Sequence, residues 1–278
     1  MVIVENLTFA FIKSQPLFTG LDMKLEPGNT YGLFGLNGAG KTTLLNQLSG
    51  MLFPKKGSCR VLGQNVKNRL PETMSEIYIL PEQFDLPKMD ADTYTDLHAP
   101  FYPRFDRSYL SEILNEFQVD RQKNLTELSY GQRKKFLIAF ALSTNSKVVL
   151  MDEPTNGLDI PSKSQFRKIM AATDQSERCF LISTHQVRDL DSIIDHIIVL
   201  NNGKIIFHQS VMDISKTLGF EKISEDSHKV VIYSEDIFGG KAAIVSKNES
   251  SKETQIDLEL LFNGIIQKQD LINNQFKS

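Results

Sequence analysis

Two short stretches hold residues whose types and spacing could do chemistry. Gly35-Leu36-Asn37-Gly38-Ala39-Gly40-Lys41-Thr42 follows the pattern G-x-x-x-x-G-K-[S/T]. In such a loop the glycines let the backbone curl until several N–H groups converge on one anion at the start of a helix. Lys41 supplies a point charge, and Thr42 offers a hydroxyl to Mg²⁺. The second stretch, Val148-Val149-Leu150-Met151-Asp152-Glu153, is an apolar run ending on two adjacent carboxylates. Two acids at the mouth of a buried strand repel each other unless a cation or a water employs them. Beside a phosphate loop, the first suits the water shell of Mg²⁺ and the second suits polarising an attacking water.

These groups meet only if the surrounding elements bring them together. Residues 30–34 read as a strand running into the glycine-rich turn, and residues 41–49 carry Leu44, Leu45 and Leu48 at helical spacing before stopping at Gly50. Residues 147–151 and 179–182 are short, almost wholly apolar runs, as strands buried on both faces of a parallel sheet require. The amphipathic stretch 163–172 between them is long enough for a crossover helix. Alternation over residues 3–11 and 17–25 predicts two antiparallel strands joined by a loop at 12–16. Residues 81–103 are rich in Pro, Asp and aromatics and read as loop with short helical pieces. Helical periodicity returns at 109–117 and 131–142, and the basic run Arg133-Lys134-Lys135 reads as the solvated face of the second helix. Residues 197–200 and 205–208 predict a hairpin about 201–204.

From Ser210 onward the character changes. A short helix is followed by strand-like segments at 229–233 and 242–246 around Gly239-Gly240, a polar stretch at 247–254 and an apolar helix at 258–272. Residues 210–278 are read as a small α+β appendage of unassigned role beside a domain of residues 1–208.

Composition narrows the function. Of 278 residues 31 are basic and 34 acidic, a net charge of −3, so no global positive field exists to hold nucleic acid, and none is expected as partner. The two cysteines, Cys59 and Cys179, lack metal-ligand spacing and fit a reducing, cytoplasmic compartment. There is no run of 18 apolar residues, and the first residues lack the long apolar core of a secretory signal, so the chain is not expected to span a bilayer by itself.

With these motifs in place the chain resembles the ATP-binding cassette (ABC) ATPases. Leu128-Ser129-Tyr130-Gly131-Gln132 resembles the family signature Leu-Ser-Gly-Gly-Gln, Gln83 in Pro81-Glu82-Gln83 resembles the Q-loop glutamine, Gly157-Leu158-Asp159 resembles the D-loop, and His185 in Ser183-Thr184-His185 resembles the switch histidine. Phe11 lies where the family has an adenine-stacking aromatic, with Phe9 as the rival. Tyr130 stands in place of the signature's first glycine and adds bulk near the nucleotide of an opposing subunit. Asn156-Gly157 stands where the D-loop often has Ser-Ala, and Phe11 where tyrosine is commonest.

The resemblance implies a P-loop NTPase fold of the α/β class. Its RecA-like parallel sheet carries an antiparallel β subdomain and a helical signature subdomain at about residues 84–144. It implies ATP and Mg²⁺ as cofactors, with nucleotide held by Phe11, Gly35, Asn37, Gly38, Ala39, Gly40, Lys41, Thr42 and Thr43. The metal is reached by Thr42, Gln83 and, through water, Asp152. Catalysis falls to Glu153, His185, Gln83 and Lys41. Ser129, Tyr130, Gly131 and Gln132 act in trans, in a head-to-tail homodimer or pseudo-dimer, and Asp159 couples the two sites.

Separate integral membrane transporter subunits are the implied partners, placing the chain on the inner face of the cell membrane. The segment Phe101-Tyr102-Pro103 resembles export-type members. The rival functions are a soluble ABC ATPase acting on ribosomes or DNA, and a nucleotide-sensing regulator. A single P-loop without sustained heptads weighs against the first, and retained Glu153 and His185 weigh against the second.

Overall fold

Alternating apolar side chains at the start of the chain build β1 (Val2–Phe9) and β2 (Phe18–Leu25), antiparallel and buried on one face through Val2, Val4, Leu7, Leu21 and Leu25. The computed structural model describes residues 1–12, 15–224, 230–247 and 254–276. β3 (Asn29–Phe34) leads through the glycine-rich turn into α1 (Lys41–Leu48). β4 (Lys56–Val61) and the two-residue β5 (Gln64–Asn65) then complete a four-stranded antiparallel sheet in the order β2-β1-β4-β5. After α2 (Pro71–Met74), β6 (Ile77–Leu80) precedes a helical region of α3 (Ala91–His98), α4 (Arg107–Glu116) and α5 (Tyr130–Ser143). The chain returns through β7 (Val148–Asp152), α6 (Ile160–Ala172), β8 (Cys179–Thr184), β9 (His196–Asn201) and β10 (Lys204–Ser210).

The central sheet has the order β10-β9-β3-β8-β7-β6, with β9, β3, β8, β7 and β6 parallel and β10 antiparallel at the edge. Every residue of β7 and β8 is buried, because this sheet is covered on both faces. Their side chains divide by the period of two. Val148, Leu150, Cys179 and Leu181 join a cluster with β1, β2 and α1, whereas Val149, Met151, Phe180 and Ile182 join one with Phe136, Phe140 and Phe166 of the helices.

Several expectations change. β4, β5 and β6 were not legible, because β4 offers only Cys59 and Val61 as buried apolar positions and β6 is four residues long. Lys134 is fully buried rather than solvated, since its ammonium reaches the carbonyl of Glu82 and the ring of Phe84. The appendage has α+β character: α7 (Val211–Thr217), a sheet of β11 (Leu218–Ile223), β12 (Val231–Ile237) and β13 (Gly240–Ser246) in the order β11-β13-β12, then α8 (Leu258–Gln267) and α9 (Gln269–Asn273). The expected helix over 258–272 is broken at Lys268, whose φ of −133° is not helical. Lys229 and residues 248–253 of the expected strand and polar stretch lie outside the described residues, as do residues 13–14 of the first loop.

Ile244, Leu261 and Ile265 of the appendage share one apolar cluster with Phe180 and Val199 of the central sheet. Arg188, in the 3₁₀ turn Val187–Leu190 that follows His185, pairs with Glu259 of α8. Among the described residues no helix is long and apolar enough to cross a membrane.

Candidate active site

Parallel pairing sets the geometry. β3, β7 and β8 run side by side in a register that places Phe34 beside Thr184 and Asp152 beside Ser183, so their C-terminal ends share one edge of the sheet. Ligands of open α/β sheets bind at that edge. The loops leaving it carry the phosphate-loop motif, the paired carboxylates and His185.

Gly40 caps the N-terminus of α1 in a left-handed conformation, φ 104°, where a β-carbon would also fall 2.8 Å from the ring of Phe18. Its lack of a side chain leaves the first N–H groups of α1 without a side-chain cap, as an anion site requires. Lys41 is buried, and its Nζ donates to the carbonyls of Gly35 (2.8 Å) and Leu36 (3.4 Å) and stands 3.9 Å from Glu153 Oε1. Burial pulls the Lys41 pKa down, opposed by the negative charges of Glu153, Asp152 and Glu82.

Asp152 is oriented by two hydroxyls. Thr42 donates to its Oδ2 at 2.6 Å, and Ser183 donates to its Oδ1. Glu153 follows in a left-handed conformation, φ 47°, which costs a residue with a β-carbon about 1 to 3 kcal/mol. Three donors hold it there: the Thr184 hydroxyl to Oε2 (2.9 Å), and the His185 N–H (3.0 Å) and Nδ1 (2.8 Å) to Oε1. One strand-end turn thus turns the two acids into different environments, Asp152 toward Thr42 and Glu153 toward His185.

Phe11, residues 37–43, Glu82, Asp152, Glu153 and His185 line one cavity of about 530 Å³. Of the two aromatic candidates, Phe9 is buried in the core, and Phe11 is 67% exposed at the cavity with its ring edge-to-face on Phe9. It gains that place because β1 ends at Phe9, short of the expected strand end. Gly35 lies beneath the loop, holding Lys41 through its carbonyl.

In the loop after β6 it is Glu82, the neighbour of Gln83, that lines the cavity. The carbonyl of Glu82 accepts from Tyr130 Oη (3.0 Å) and Lys134 Nζ (3.3 Å), and its carboxylate accepts from Asn156 Nδ2 (3.1 Å). These bonds turn Glu82 onto the cavity wall and leave Gln83, its neighbour, off it. Gln83 itself is exposed and is not among the residues that line the cavity. Glu82 is the residue sequence reasoning missed, and its only signal was adjacency. Ser183 and Thr184 were likewise read only as the lead-in to His185.

Ser129, Tyr130, Gly131 and Gln132 open α5 outside this cavity. Ser129 Oγ accepts from Gln132 N and Gln132 Oε1 accepts from Ser129 N, a reciprocal cap that fixes the start of the helix. Tyr130 lays its ring on Phe84 and over Gly157 while remaining 39% exposed. Asp159 caps α6 by accepting from Ser162 N at 2.9 Å, and hydrogen bonding from the Ser162 side chain first, and from its N–H second, holds its carboxyl below the usual pKa.

Among the described residues no group of three or more His, Cys, Asp or Glu side chains is arranged to hold a metal alone. A hydroxyl and a carboxylate 2.6 Å apart beside a phosphate cradle nevertheless fit Mg²⁺, which takes hard oxygens, keeps several waters and draws further ligands from phosphate.

Comparison with known proteins gives the same picture. The family model described as ABC transporter matches residues 18–156. The ABC transporter ATP-binding protein YtrB of Bacillus subtilis is 27% identical over 220 residues, 78% of this chain and 73% of that protein. A solved ATP-binding subunit of an ABC transporter superposes with a TM-score of 0.70 at 22% identity, over 77% of this chain and 91% of that one. A dimeric ATP-binding cassette in a post-hydrolysis state, bound to ADP and Pi, does so with a TM-score of 0.66 at 20% identity, over 76% and 99%. At those identities the two structures establish the fold.

Proposed function

The chain belongs to the ABC transporter family, and from that membership we propose that it is the subunit that binds and hydrolyses ATP to drive separate membrane-spanning partners. The observation that carries this reading is the convergence of the phosphate loop, Asp152, Glu153 and His185 in one cavity with Phe11 at its side. In it the adenine stacks on Phe11, and the loop N–H groups and Lys41 hold the β- and γ-phosphates. Thr42 and, through water, Asp152 would hold Mg²⁺, which when bound would neutralise charge on the phosphate oxygens. Glu153 takes the proton of the attacking water, a P–O bond forms from that water to the γ-phosphorus, and the bond to the β-phosphate oxygen breaks to release ADP. His185, bonded twice to Glu153 Oε1, keeps that carboxylate aimed.

The signature residues support a two-chain site. Ser129 and Gly131 lie outside the cavity of their own subunit, and a head-to-tail pair would set them against the nucleotide of the other copy. For the membrane partner, Leu97 and Phe101 are exposed while Tyr102 is packed against Tyr78 and Phe140. That leaves an apolar surface on a rigid support for helices at the inner face of the membrane.

The test has two arms. The purified chain releases phosphate from MgATP, and absence of release overturns the enzymatic part. Captured from its native membranes in mild detergent, it brings down a multi-span integral protein; recovery of ribosomes or DNA instead overturns the transport part.

A further inference from the structure

Tyr130 is where the signature departs from the family pattern, and its side chain touches two separate loops, the one after β6 at two points and the one after β7 at one. Its ring stacks on Phe84, with centroids 5.3 Å apart and planes 18° from parallel. Its hydroxyl donates to the carbonyl of Glu82 at 3.0 Å, the same carbonyl that the buried Lys134 reaches. Its edge covers Gly157, where a β-carbon would stand 2.5 Å from Tyr130 Cε1 and 2.7 Å from Cδ1. Gly157 in turn sits in the turn that leaves Glu153: Asn156 N donates to the Glu153 carbonyl at 3.2 Å, and Asn156 Nδ2 donates to the Glu82 carboxylate.

We propose that Tyr130 is a positioning residue, matched to Gly157, that clamps the loop after β6 and the turn after β7 to the start of α5 and so places Glu82 and Glu153 in the cavity. With Tyr130 in this position a β-carbon at 157 would collide with its ring, on top of the strain of φ +81°. The two departures from the family pattern thus meet in one contact. Through Tyr130 the end of α5 that faces the other subunit is joined to the cavity of its own. The proposal rests on the ATPase reading above, since what the clamp positions is the hydrolytic group.

A double-mutant cycle tests it. Gly157→Ala carries the backbone strain of φ +81° in either background, so that cost cancels and only the collision with Tyr130 remains. Tyr130→Ala lowers kcat about tenfold with KM for ATP changed less than about threefold, the pattern of a lost transition-state contribution. Gly157→Ala costs kcat about tenfold or more when Tyr130 is present and at least about threefold less in the Tyr130→Ala background, the size of coupling that touching residues show. Tyr130→Phe falls between wild type and Tyr130→Ala, because it keeps the ring on Phe84 and Gly157 and loses the bond to Glu82.

Thermal unfolding is followed throughout, and Tyr130→Ser provides a second truncation if Tyr130→Ala fails to fold. A wild type that hydrolyses ATP while the two substitutions act independently overturns the clamp alone. A wild type without hydrolysis overturns the ATPase reading and the clamp with it.

Discussion

Replacing Glu153 by glutamine removes one negative charge from a buried turn and leaves its shape in place. The amide oxygen still accepts from His185 N–H, and the amide nitrogen takes the position of Oε2, where it donates to the Thr184 hydroxyl that now serves as acceptor. Lys41 loses an ion partner at 3.9 Å but keeps its bonds to the carbonyls of Gly35 and Leu36, so the phosphate cradle stays charged. What disappears is the group that accepts the water proton. General-base catalysis contributes about 10²- to 10⁴-fold, which at 1.36 kcal/mol per tenfold is about 2.7 to 5.4 kcal/mol of barrier. Steady-state phosphate release falls by that factor. Binding of a fluorescent ATP analogue changes by less than about threefold, because uniform binding is untouched. With turnover blocked, MgATP holds the chain as a dimer on a sizing column. A kcat within about threefold of wild type refutes the assignment of Glu153 as base, and a large loss of nucleotide affinity refutes the claim that its shape is retained.

Three further outcomes follow from the same geometry. Phe11→Ala weakens ATP binding about three- to tenfold, the worth of one aromatic stacking contact, with its Mg²⁺ dependence intact, whereas Phe9→Ala acts on stability by about 3 to 5 kcal/mol; equal effects of the two on affinity refute the distinction. Thr42→Ala raises the Mg²⁺ concentration needed for half-maximal nucleotide binding about 10- to 100-fold, read by titrating bound fluorescent nucleotide, and an unchanged titration removes Thr42 from the metal site. Burial lowers the pKa of His196 and His208, whose rings lie 6.0 Å apart beside Tyr31. The unfolded chain then takes up protons near the ordinary value of 6.5 before the folded one does, so this stability is complete above about pH 7 and is lost as pH falls through 6.5. The urea midpoint drops between pH 7.5 and 5.5, less so in His196→Phe/His208→Phe, and an equal drop in both proteins refutes the origin.

The parts of the site legible in the sequence are those built within a few residues. The phosphate loop could be read because its glycines, lysine and threonine act through one turn of backbone. Asp152 and Glu153 could be read because an apolar run this short must be a buried strand and must end somewhere. Elements with a weak local signature escaped: β6 has four residues, and Ser183 and Thr184 look like any core hydroxyls until they are seen holding the two acids.

The sequence by itself therefore determined the chemistry: an anion cradle, two acids and a histidine on a parallel α/β scaffold, in the order of a known family. Tertiary structure alone decided which neighbour does each task. Phe11 rather than Phe9 reaches the cavity because β1 ends early. Glu82 rather than Gln83 does so because Tyr130, 48 residues away, fastens its carbonyl. Lys134 leaves the solvated face of its helix for the same carbonyl. Each choice rests on a contact between residues far apart in the chain, for which no local pattern of residue types carries information.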